Sequence, residues 1–260
     1  MGVLNVTPDS FSDGGEFFDT ATAVRHALRM AGDGAAFIDV GGESTRPGAA
    51  PVSAAEELRR VIPVIERLRE ATSAVISIDT SKPEVMRAAA AAGAGLINDV
   101  YALRAPGALE AAISSGCAVC LMHMQGEPRT MQDAPAYRDV VSEVGAFLRE
   151  RTSVCRAAGL AGDQILIDPG FGFGKTVEHN LTLLRRLGEL TAEGPPMMVG
   201  LSRKSTVGKL TGRPAHERLL GSVVLATIAA LAGARVVRAH DVAATVEALK
   251  VVAAVRGEPH

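Results

Sequence analysis

Eight short apolar runs, each followed by a polar cluster and then by a helix-like stretch, constrain the fold of this chain more than any other feature. Apolar runs flanked by Gly and Pro are typical of buried parallel strands, and parallel pairing requires a crossover between consecutive strands. Eight such units in 260 residues predict an α/β chain closed as a (β/α)8 TIM barrel, in a single domain over residues 1–260. The runs are GVLNV (2–6), AFIDV (36–40), AVISID (74–79), GLINDV (95–100), AVCLMHM (118–124), ILIDPG (165–170), MMVGLSRK (197–204) and VVRAHD (236–241).

Composition and charge narrow the classes of partner. The formal net charge of -2 gives no electrostatic reason to expect a nucleic acid or a membrane surface as partner. The most apolar stretch, residues 219–234, is shorter than the roughly 20 residues that span a bilayer, so it predicts a buried helix. Three cysteines, an odd number, argue against a disulfide framework and favour a reducing compartment, the cytoplasm.

Two short motifs resemble known sites without matching them. Cys117 and Cys120 form a C-x-x-C pair, but the pair begins an apolar run and no second pair exists to complete a zinc site, so both are interpreted as packing residues. The segment GFGFGKT (170–176) lacks the first glycine of a phosphate loop, since that position is Pro169. We interpret it as a glycine-rich loop that brings Phe171 and Phe173 toward the mouth of the barrel.

The polar residues that close the eight runs are candidates for one active site. Barrel active sites lie at the carboxyl ends of the strands, so these side chains are expected to converge on one mouth. Asp79, Asn98 and Asp168 form a carboxylate–amide–carboxylate set that suits a heterocycle rich in N–H groups. The residues expected at the mouth are Asn5, Asp39, Asp79, Asn98, His123, Asp168, Lys204 and His240.

Positive charge gathers at the ends of the last two runs. Arg203 and Lys204 close the seventh run, and Arg238 and His240 close the eighth, where phosphate groups usually bind in this fold. The sequence therefore predicts a polarised mouth, with acids for a nitrogen-rich ring on one side and cations for an anion on the other. Arg238 has a second interpretation, as a member of a surface salt bridge.

Several motifs, in this order, resemble the dihydropteroate synthase family over essentially the whole chain. The first two together with SRKS are specific to that family rather than to barrels at large. The motifs are GVLNVTPDSFSDGG, GGESTRPGA, SIDTSKP, INDV, DPGFGFGK, SRKS and RAHDV.

The resemblance implies one pterin-binding catalytic domain that joins 6-hydroxymethyl-7,8-dihydropterin diphosphate to 4-aminobenzoate. The products are 7,8-dihydropteroate and diphosphate, Mg²⁺ is the cofactor, and sulfonamides are competitive ligands. The implied pterin-binding residues are Asp79, Asn98, Met122, Asp168 and Lys204. The implied diphosphate-binding residues are Asn5, Thr45, Arg238 and His240, with Asn5 also touching the metal. The implied 4-aminobenzoate-binding residues are Thr45, Arg46, Pro47, Phe173, Lys204 and Ser205.

The chemistry that the resemblance implies is a dissociative route. Diphosphate leaves, Asp79 stabilises the cationic pterin intermediate, and the neutral arylamine attacks, with Lys204 and Asn5 as further catalytic residues. An acid at a strand end can instead cap the next helix, but Ser81-Lys-Pro-Glu84 has the pattern of a capping box that would already fill that role. This pattern favours the functional interpretation of Asp79.

Two other functions stay open, as does the assembly. A related barrel that transfers a methyl group from a reduced pterin would share the Asp79, Asn98 and Asp168 set but has no use for the anion-binding motifs. A non-catalytic pterin-binding module is the other. The apolar surplus of residues 219–234 predicts a homodimer packed through the late helices, or else a helix buried under the carboxyl-terminal tail. Family members usually carry a further segment before GVLNV, so the start is interpreted as truncated.

Overall fold

The barrel predicted from the eight runs is present in the computed structural model, which describes residues 1–7, 20–44, 51–126, 131, 134–192 and 194–257. Along these residues, each strand is followed by a helix, and the sixth and seventh strands are each followed by two. The strands are β1 (Gly2–Asn5), β2 (Phe37–Gly41), β3 (Val75–Asp79), β4 (Leu96–Asp99), β5 (Ala118–Met122), β6 (Ile165–Asp168), β7 (Met198–Gly200) and β8 (Val236–Arg238). The helices are α1 (Thr20–Gly32), α2 (Ala54–Ala71), α3 (Pro83–Ala92), α4 (Ala108–Ser115), α5 (Val140–Ala157), α6 (Val177–Arg185), α7 (Leu187–Thr191), α8 (Ser205–Thr211), α9 (Leu219–Leu231) and α10 (Val242–Arg256).

The strands pair in parallel and in chain order. Strands β1 to β6 form one sheet, and β7 pairs with β8. Two bridges connect these parts, because Gly2 in β1 pairs with Ala239 just after β8, and Ile167 in β6 pairs with Met197 just before β7. The strands therefore close into an eight-stranded parallel barrel, which confirms the predicted (β/α)8 class.

Apolar side chains pack on both faces of the strands. Side chains alternate along a strand, so Ile38 and Val40 join the large cluster with the outer helices, while Phe37, Leu96 and Met198 belong to a separate cluster inside the barrel. Asp39 lies between Ile38 and Val40 in β2 and therefore faces the interior. The interior is thus apolar at its lower end and polar toward the carboxyl ends of the strands.

The same alternation accounts for the C-x-x-C pair. Cys117 belongs to the outer cluster and its thiol contacts the Ala94 carbonyl oxygen at 3.1 Å, while Cys120 belongs to the interior cluster. Residues three apart on a strand point to opposite faces, so these two thiols cannot meet. Both cysteines are buried packing residues, as interpreted from the sequence.

One predicted helix cap is wrong. Helix α3 begins at Pro83 with Lys82 as its N-cap and has no side-chain cap, while Ser81 donates a hydrogen bond to Asp99 instead. Pro83 occupies the first helical position, which places Ser81 one residue too early to cap the helix. The Ser81 pattern therefore gives no support to the functional interpretation of Asp79, which depends on the geometry of the site.

Helix α9 is only half covered, so the prediction of a buried helix is wrong for one of its faces. Ala226 and Ala229 are buried, whereas Leu220 is 77% exposed and Val224 is 47% exposed. The last described helix, α10, reaches α9 through a hydrogen bond from Arg256 to the Ala230 carbonyl oxygen at 2.9 Å, but it leaves that apolar face open. Within the described residues, no helix has the length and apolar character needed to cross a membrane.

Candidate active site

Strand register brings the first group of predicted site residues together. Asn5 at the end of β1 pairs with Gly41, Gly41 pairs with Asp79, and Asp79 pairs with Asn98 on β4. Gly41 carries no side chain, so Asn5 and Asp79 face each other across an open position on β2. These positions lie at the carboxyl ends of the strands, where the sequence predicts the active site.

Arg238 joins the last strand of the barrel to the second and third. Its Nε donates to Asp39 Oδ2 at 2.6 Å, and its Nη2 donates to Asp79 Oδ2 at 2.9 Å. We call Asp39, Asp79, Asn98 and Arg238 the carboxylate cluster. It contains two carboxylates and one guanidinium, so its formal charge is negative.

The two carboxylates of this cluster have different environments. Asp39 is fully buried and also accepts hydrogen bonds from the Ser77 hydroxyl at 2.5 Å and from Asn98 Nδ2 at 3.0 Å. From the described residues, Asp79 accepts a hydrogen bond from Arg238 alone. Asp39 is therefore a satisfied structural acid, whereas Asp79 keeps acceptor capacity that faces the mouth.

Burial and the neighbouring Asp39 charge raise the pKa of Asp79 to about 7, although Arg238 opposes this shift. One guanidinium cannot fully neutralise two buried carboxylates, so Asp79 holds its proton more tightly than an exposed aspartic acid does. A carboxylate with such a pKa can accept a hydrogen bond from an N–H group or stabilise a cation near neutral pH.

The predicted separation of acids from cations is wrong. Arg238 lies between Asp39 and Asp79. Lys204 lies close enough to Asp168 for the charge of this acid to oppose the effect of burial, which lowers the pKa of the ammonium. Buried charges are costly unless they are paired, and here the cations at the ends of β7 and β8 lie beside acids from β2, β3 and β6. Arg203 is also a cation that the sequence predicts at the mouth. It pairs with Asp241, and its Nε donates to Asp241 Oδ2 at 2.9 Å.

The second part of the mouth is built around Lys204. Burial lowers the pKa of Lys204 to about 8, and the Asp168 charge opposes this shift. The ammonium donates to the Phe171 carbonyl oxygen and lies 4.5 Å from the centre of the Phe173 ring. A left-handed backbone at Arg203, with φ of 57°, precedes Lys204 and turns the chain between β7 and α8.

A glycine loop, residues 170–174, supports Lys204. Asp168 at the end of β6 accepts a hydrogen bond from the Gly170 N–H at 2.7 Å, which fixes the start of this loop. Phe171 is fully buried, and Phe173 packs against a cluster that includes Met122 and Met124. The sequence interpretation of residues 170–176 as a glycine-rich loop agrees with this structure.

Lys175, which follows the glycine loop, has no role in the sequence predictions and is the main residue that they missed. Its Nζ lies 2.9 Å from His123 Nδ1 and 3.0 Å from the carbonyl oxygens of Gly170 and Phe173. Burial lowers the pKa of Lys175 to about 7, and burial together with the Lys175 charge lowers the pKa of His123 to about 3. A lysine within an apolar glycine-rich segment is the one signal that could have singled it out.

The remaining predicted site residues are less closely connected. Met122 is buried and pairs in register with Asp168. His240 contacts Ser202 through its backbone N–H at 3.2 Å and through Nδ1 at 3.1 Å. Ser205 is exposed and is the first residue of α8. Thr45, Arg46 and Pro47 lie outside the described residues.

A cluster of ions around the buried Glu57 holds the second loop, which joins β2 to α2. Lys82 donates to Glu57 Oε2 at 2.5 Å and also to Glu43, whose Oε1 accepts a hydrogen bond from the Val52 N–H at 3.1 Å. Glu43 precedes and Val52 follows residues 45–50 of the second loop. The cluster therefore ties both ends of this loop to α2 and α3, close to the strand that carries Asp79.

Most of the chain matches a known family. The sequence profile of the family described as pterin binding enzyme matches residues 1–240. The chain therefore belongs to the family of pterin-binding enzymes. This is the class of protein that the fold and the site described above indicate.

Three similar proteins make the assignment more specific. A dihydropteroate synthase of Escherichia coli strain K12 is 56% identical over 98% of this chain and 90% of its own length. A Yersinia pestis dihydropteroate synthase solved with a sulfonamide drug complex has a TM-score of 0.95 at 52% identity, covering 99% of this chain and 94% of that one. A Xanthomonas albilineans dihydropteroate synthase solved with 7,8-dihydropteroate has a TM-score of 0.90 at 52% identity, covering 100% of this chain and 94% of that one. Within the pterin-binding family, the chain thus groups with the dihydropteroate synthases.

Proposed function

We propose that this protein condenses 6-hydroxymethyl-7,8-dihydropterin diphosphate with 4-aminobenzoate to give 7,8-dihydropteroate and diphosphate. The observation that carries the proposal is the carboxylate cluster, in which Asp79 has acceptor capacity toward the mouth while Asp39 is already satisfied. Further support comes from a relative named dihydropteroate synthase, from a similar structure solved with 7,8-dihydropteroate, and from the family match over residues 1–240.

In this proposal the pterin ring lies between the two parts of the mouth. Asp79 and Asn98 bind its N–H groups from one side, Asp168 and Lys204 bind from the other, and Met122 lies against its face. Asp79 and Asp168 are raised-pKa carboxyls in a largely buried setting, which strengthens hydrogen bonds to an amidine-like group. Asp79 also stabilises the positive charge that develops on the pterin methylene when diphosphate leaves.

The diphosphate is assigned to Asn5, Arg238, His240 and Thr45. Arg238 uses two N–H groups for Asp39 and Asp79, so its remaining N–H groups are available to an anion at the mouth. His240 lies two residues further along the chain and adds a second donor. Thr45 belongs to this assignment on the resemblance alone, since it lies outside the described residues.

A magnesium ion fits the donors present at the mouth. Mg²⁺ commonly takes one or two protein oxygens together with substrate phosphates and water. The described residues contain no group of three or more His, Cys, Asp or Glu that could hold a metal, so the diphosphate itself would complete the coordination. Asn5 would hold the ion through its amide oxygen, and the bound ion would neutralise negative charge on the leaving diphosphate.

The 4-aminobenzoate is assigned to Phe173, Lys204 and Ser205, with Thr45, Arg46 and Pro47 from the second loop. The Lys204 ammonium over the Phe173 ring offers a cation and an apolar face side by side. Ser205 at the start of α8 would bind the carboxylate of the arylamine. Sulfonamides are expected to compete with 4-aminobenzoate at this position.

The assembly proposed for this chain is a homodimer of single-domain protomers formed through the late helices, in the cytoplasm. The support is the open apolar face of α9 and α10, where Leu220 and Val255 are each 77% exposed. A groove of about 520 Å³ between α8 and α9 continues this face. Multi-angle light scattering at micromolar concentration would give a dimeric mass for the native protein and a monomeric mass for Leu220→Glu; a monomeric native protein would contradict the proposal.

The function is tested by measuring diphosphate release from dihydropterin diphosphate and Mg²⁺, with and without 4-aminobenzoate. Release coupled one-to-one to dihydropteroate formation is the expected result. A folded protein that binds the pterin without releasing diphosphate would contradict the proposal and favour methyl transfer or a non-catalytic binding module.

A further inference from the structure

Lys175 occupies an unusual position for a lysine, because its amino group is buried among acceptors only. Its Nζ lies within hydrogen-bond distance of four acceptor atoms: the carbonyl oxygens of Gly170 and Phe173, each at 3.0 Å, His123 Nδ1 at 2.9 Å, and the His123 carbonyl oxygen at 3.4 Å. Two of these belong to the glycine loop and two to His123, directly after β5. One amino group therefore connects the loop to the neighbouring strand.

We propose that Lys175 is a positioning residue, which fixes the glycine loop against the end of β5 so that the loop holds Lys204 in its place at the mouth. Lys175 touches no substrate in this scheme and acts through Phe171 and Phe173. The kinetic part of its test rests on the proposed function, whereas the structural part does not.

The glycine loop packs too closely against the residues after β5 to adopt another position there. A Cβ at Gly170 would lie 1.9 Å from the His123 carbonyl oxygen, and a Cβ at Gly174 would lie 2.3 Å from the Gln125 carbonyl oxygen. Both glycines have positive φ, 67° and 61°. The backbone of the loop thus rests directly on the backbone of the neighbouring segment, and Lys175 donates into that contact.

Lys204 depends on this loop for its immediate partners. Its ammonium donates to the Phe171 carbonyl oxygen and lies over the Phe173 ring. Phe171 is itself fully buried, so its carbonyl can move only if the loop moves. A displacement of the loop would therefore change the position of the Lys204 ammonium without any change in Lys204 itself.

His123 is suited to its part in the contact. Burial and the Lys175 charge keep its imidazole neutral at working pH, because its pKa is about 3. A neutral imidazole whose Nδ1 faces an amino group accepts there and carries its proton on Nε2. The ring is further fixed by an edge-on contact with Phe147 at 5.0 Å between centroids.

The first experiment compares Lys175→Met with Lys209→Met, a matched change at an exposed lysine on α8. Native-state hydrogen exchange should show amides of residues 170–174 exchanging about 10-fold faster or more in Lys175→Met, with the amides of α2 unchanged, because local opening needs only the loop contacts to break. Equal exchange in both variants, or faster exchange at all protected amides alike, would overturn the proposal.

The second experiment measures steady-state kinetics on the same variants. Lys175→Met should lower kcat by about 10- to 100-fold and raise KM for 4-aminobenzoate, since misplacement of a positioned group by about 1 Å has effects of that size. KM for the pterin diphosphate should also rise, but less, because Lys204 contributes to that substrate as well while Asp79 and Asn98 bind it from other strands. If the native protein lacks synthase activity, the proposed function fails while the exchange result still decides the role of Lys175.

A double-mutant cycle with Phe173→Leu separates positioning from general stability. If Lys175 acts through the loop, its effect on kcat/KM for 4-aminobenzoate should largely disappear in a protein that already carries Phe173→Leu. If the two residues had independent roles, the effects of the two substitutions would add. Additive effects would overturn the proposal. Should Lys175→Met fail to fold, Asn180→Ala replaces it, since Asn180 accepts the Gly172 N–H at 2.8 Å and is a second anchor of the same loop.

Discussion

The two parts of the candidate active site are held in place in different ways. The carboxylate cluster is joined by side chains that bond to each other across strands in register. The glycine loop and Lys204 are joined by amino groups that bond to backbone carbonyls. Strand register fixes the first part, whereas the second depends on a loop conformation that several left-handed glycines make possible. The first part is therefore set by the barrel itself, and the second by contacts added to the barrel.

The largest expected effect concerns the loop. Gly170→Ala would place a methyl group 1.9 Å from the His123 carbonyl oxygen at a left-handed position, so the free energy of unfolding should fall by about 4 kcal/mol from overpacking and backbone strain together. Gly116→Ala is the matched control, because its φ is 69° and no atom lies within 4 Å of the added carbon. Its cost should be about 1 kcal/mol, from backbone strain alone. Urea unfolding measures both, and equal losses would show that the loop contact is unimportant.

The next effect concerns catalysis by the carboxylate cluster. Asp79→Asn keeps the shape of the side chain but removes the charge that stabilises the pterin cation, so kcat should fall by about 100- to 1000-fold, or about 3–4 kcal/mol. Asp33→Asn, at an exposed acid, is the control and should retain native activity. Steady-state assays of diphosphate release compare the two. Activity of Asp79→Asn within about tenfold of the native protein would remove Asp79 from its proposed role.

A smaller effect separates Asp39 from Asp79. Ser77→Ala removes one of the three hydrogen bonds that Asp39 accepts from Ser77, Asn98 and Arg238, so the free energy of unfolding should fall by about 1.5–3 kcal/mol, as for other bonds to charged groups. Because Asp39 is a structural acid, kcat should change little. A kcat loss as large as that of Asp79→Asn would contradict the division of roles between the two acids.

The last effect is a dependence of stability on pH, which is small between neighbouring pH values and accumulates over the range. Asp79 has a raised pKa of about 7 in the folded protein, so between roughly pH 4 and pH 7 the folded state holds a proton that the unfolded state has lost. The contribution of Asp79 to the free energy of unfolding is therefore largest below pH 4. It declines as pH rises toward 7, by at most about 1.4 kcal/mol per pH unit. Urea unfolding at several pH values should show this decline in the native protein and a shallower one in Asp79→Asn. Identical slopes would assign the titration to another group.

Much of this architecture follows from local sequence. Each strand is a short run of three to five mostly apolar residues, and the polar residues that close these runs fall at the mouth because parallel strands share one carboxyl edge. Asp79, Asn98 and Asp168 could therefore be singled out without a structure. The roles of these residues toward substrate remain predictions.

Other features depend on contacts that no local pattern encodes. Arg238 meets Asp39 across a separation of 199 residues, so its position between two acids arises only when the barrel closes. Lys175 lies within a segment that resembles a phosphate loop, and its burial depends on a loop conformation made possible by glycines. Ser81 has the spacing of a cap, but Pro83 sets the start of the helix one residue later than the pattern expects.

The pairing of Arg238 with Asp39 and Asp79 also bears on the order of events during synthesis. Both acids belong to the first 79 residues of the chain, whereas the guanidinium that pairs with them is made 159 residues after Asp79. Until β8 docks, two carboxylates lie side by side with no partner from the last strand, and an N-terminal fragment must keep them hydrated or protonated. Since β8 both closes the barrel and carries this guanidinium, the ring of strands and its charged centre are completed by the same segment of the chain.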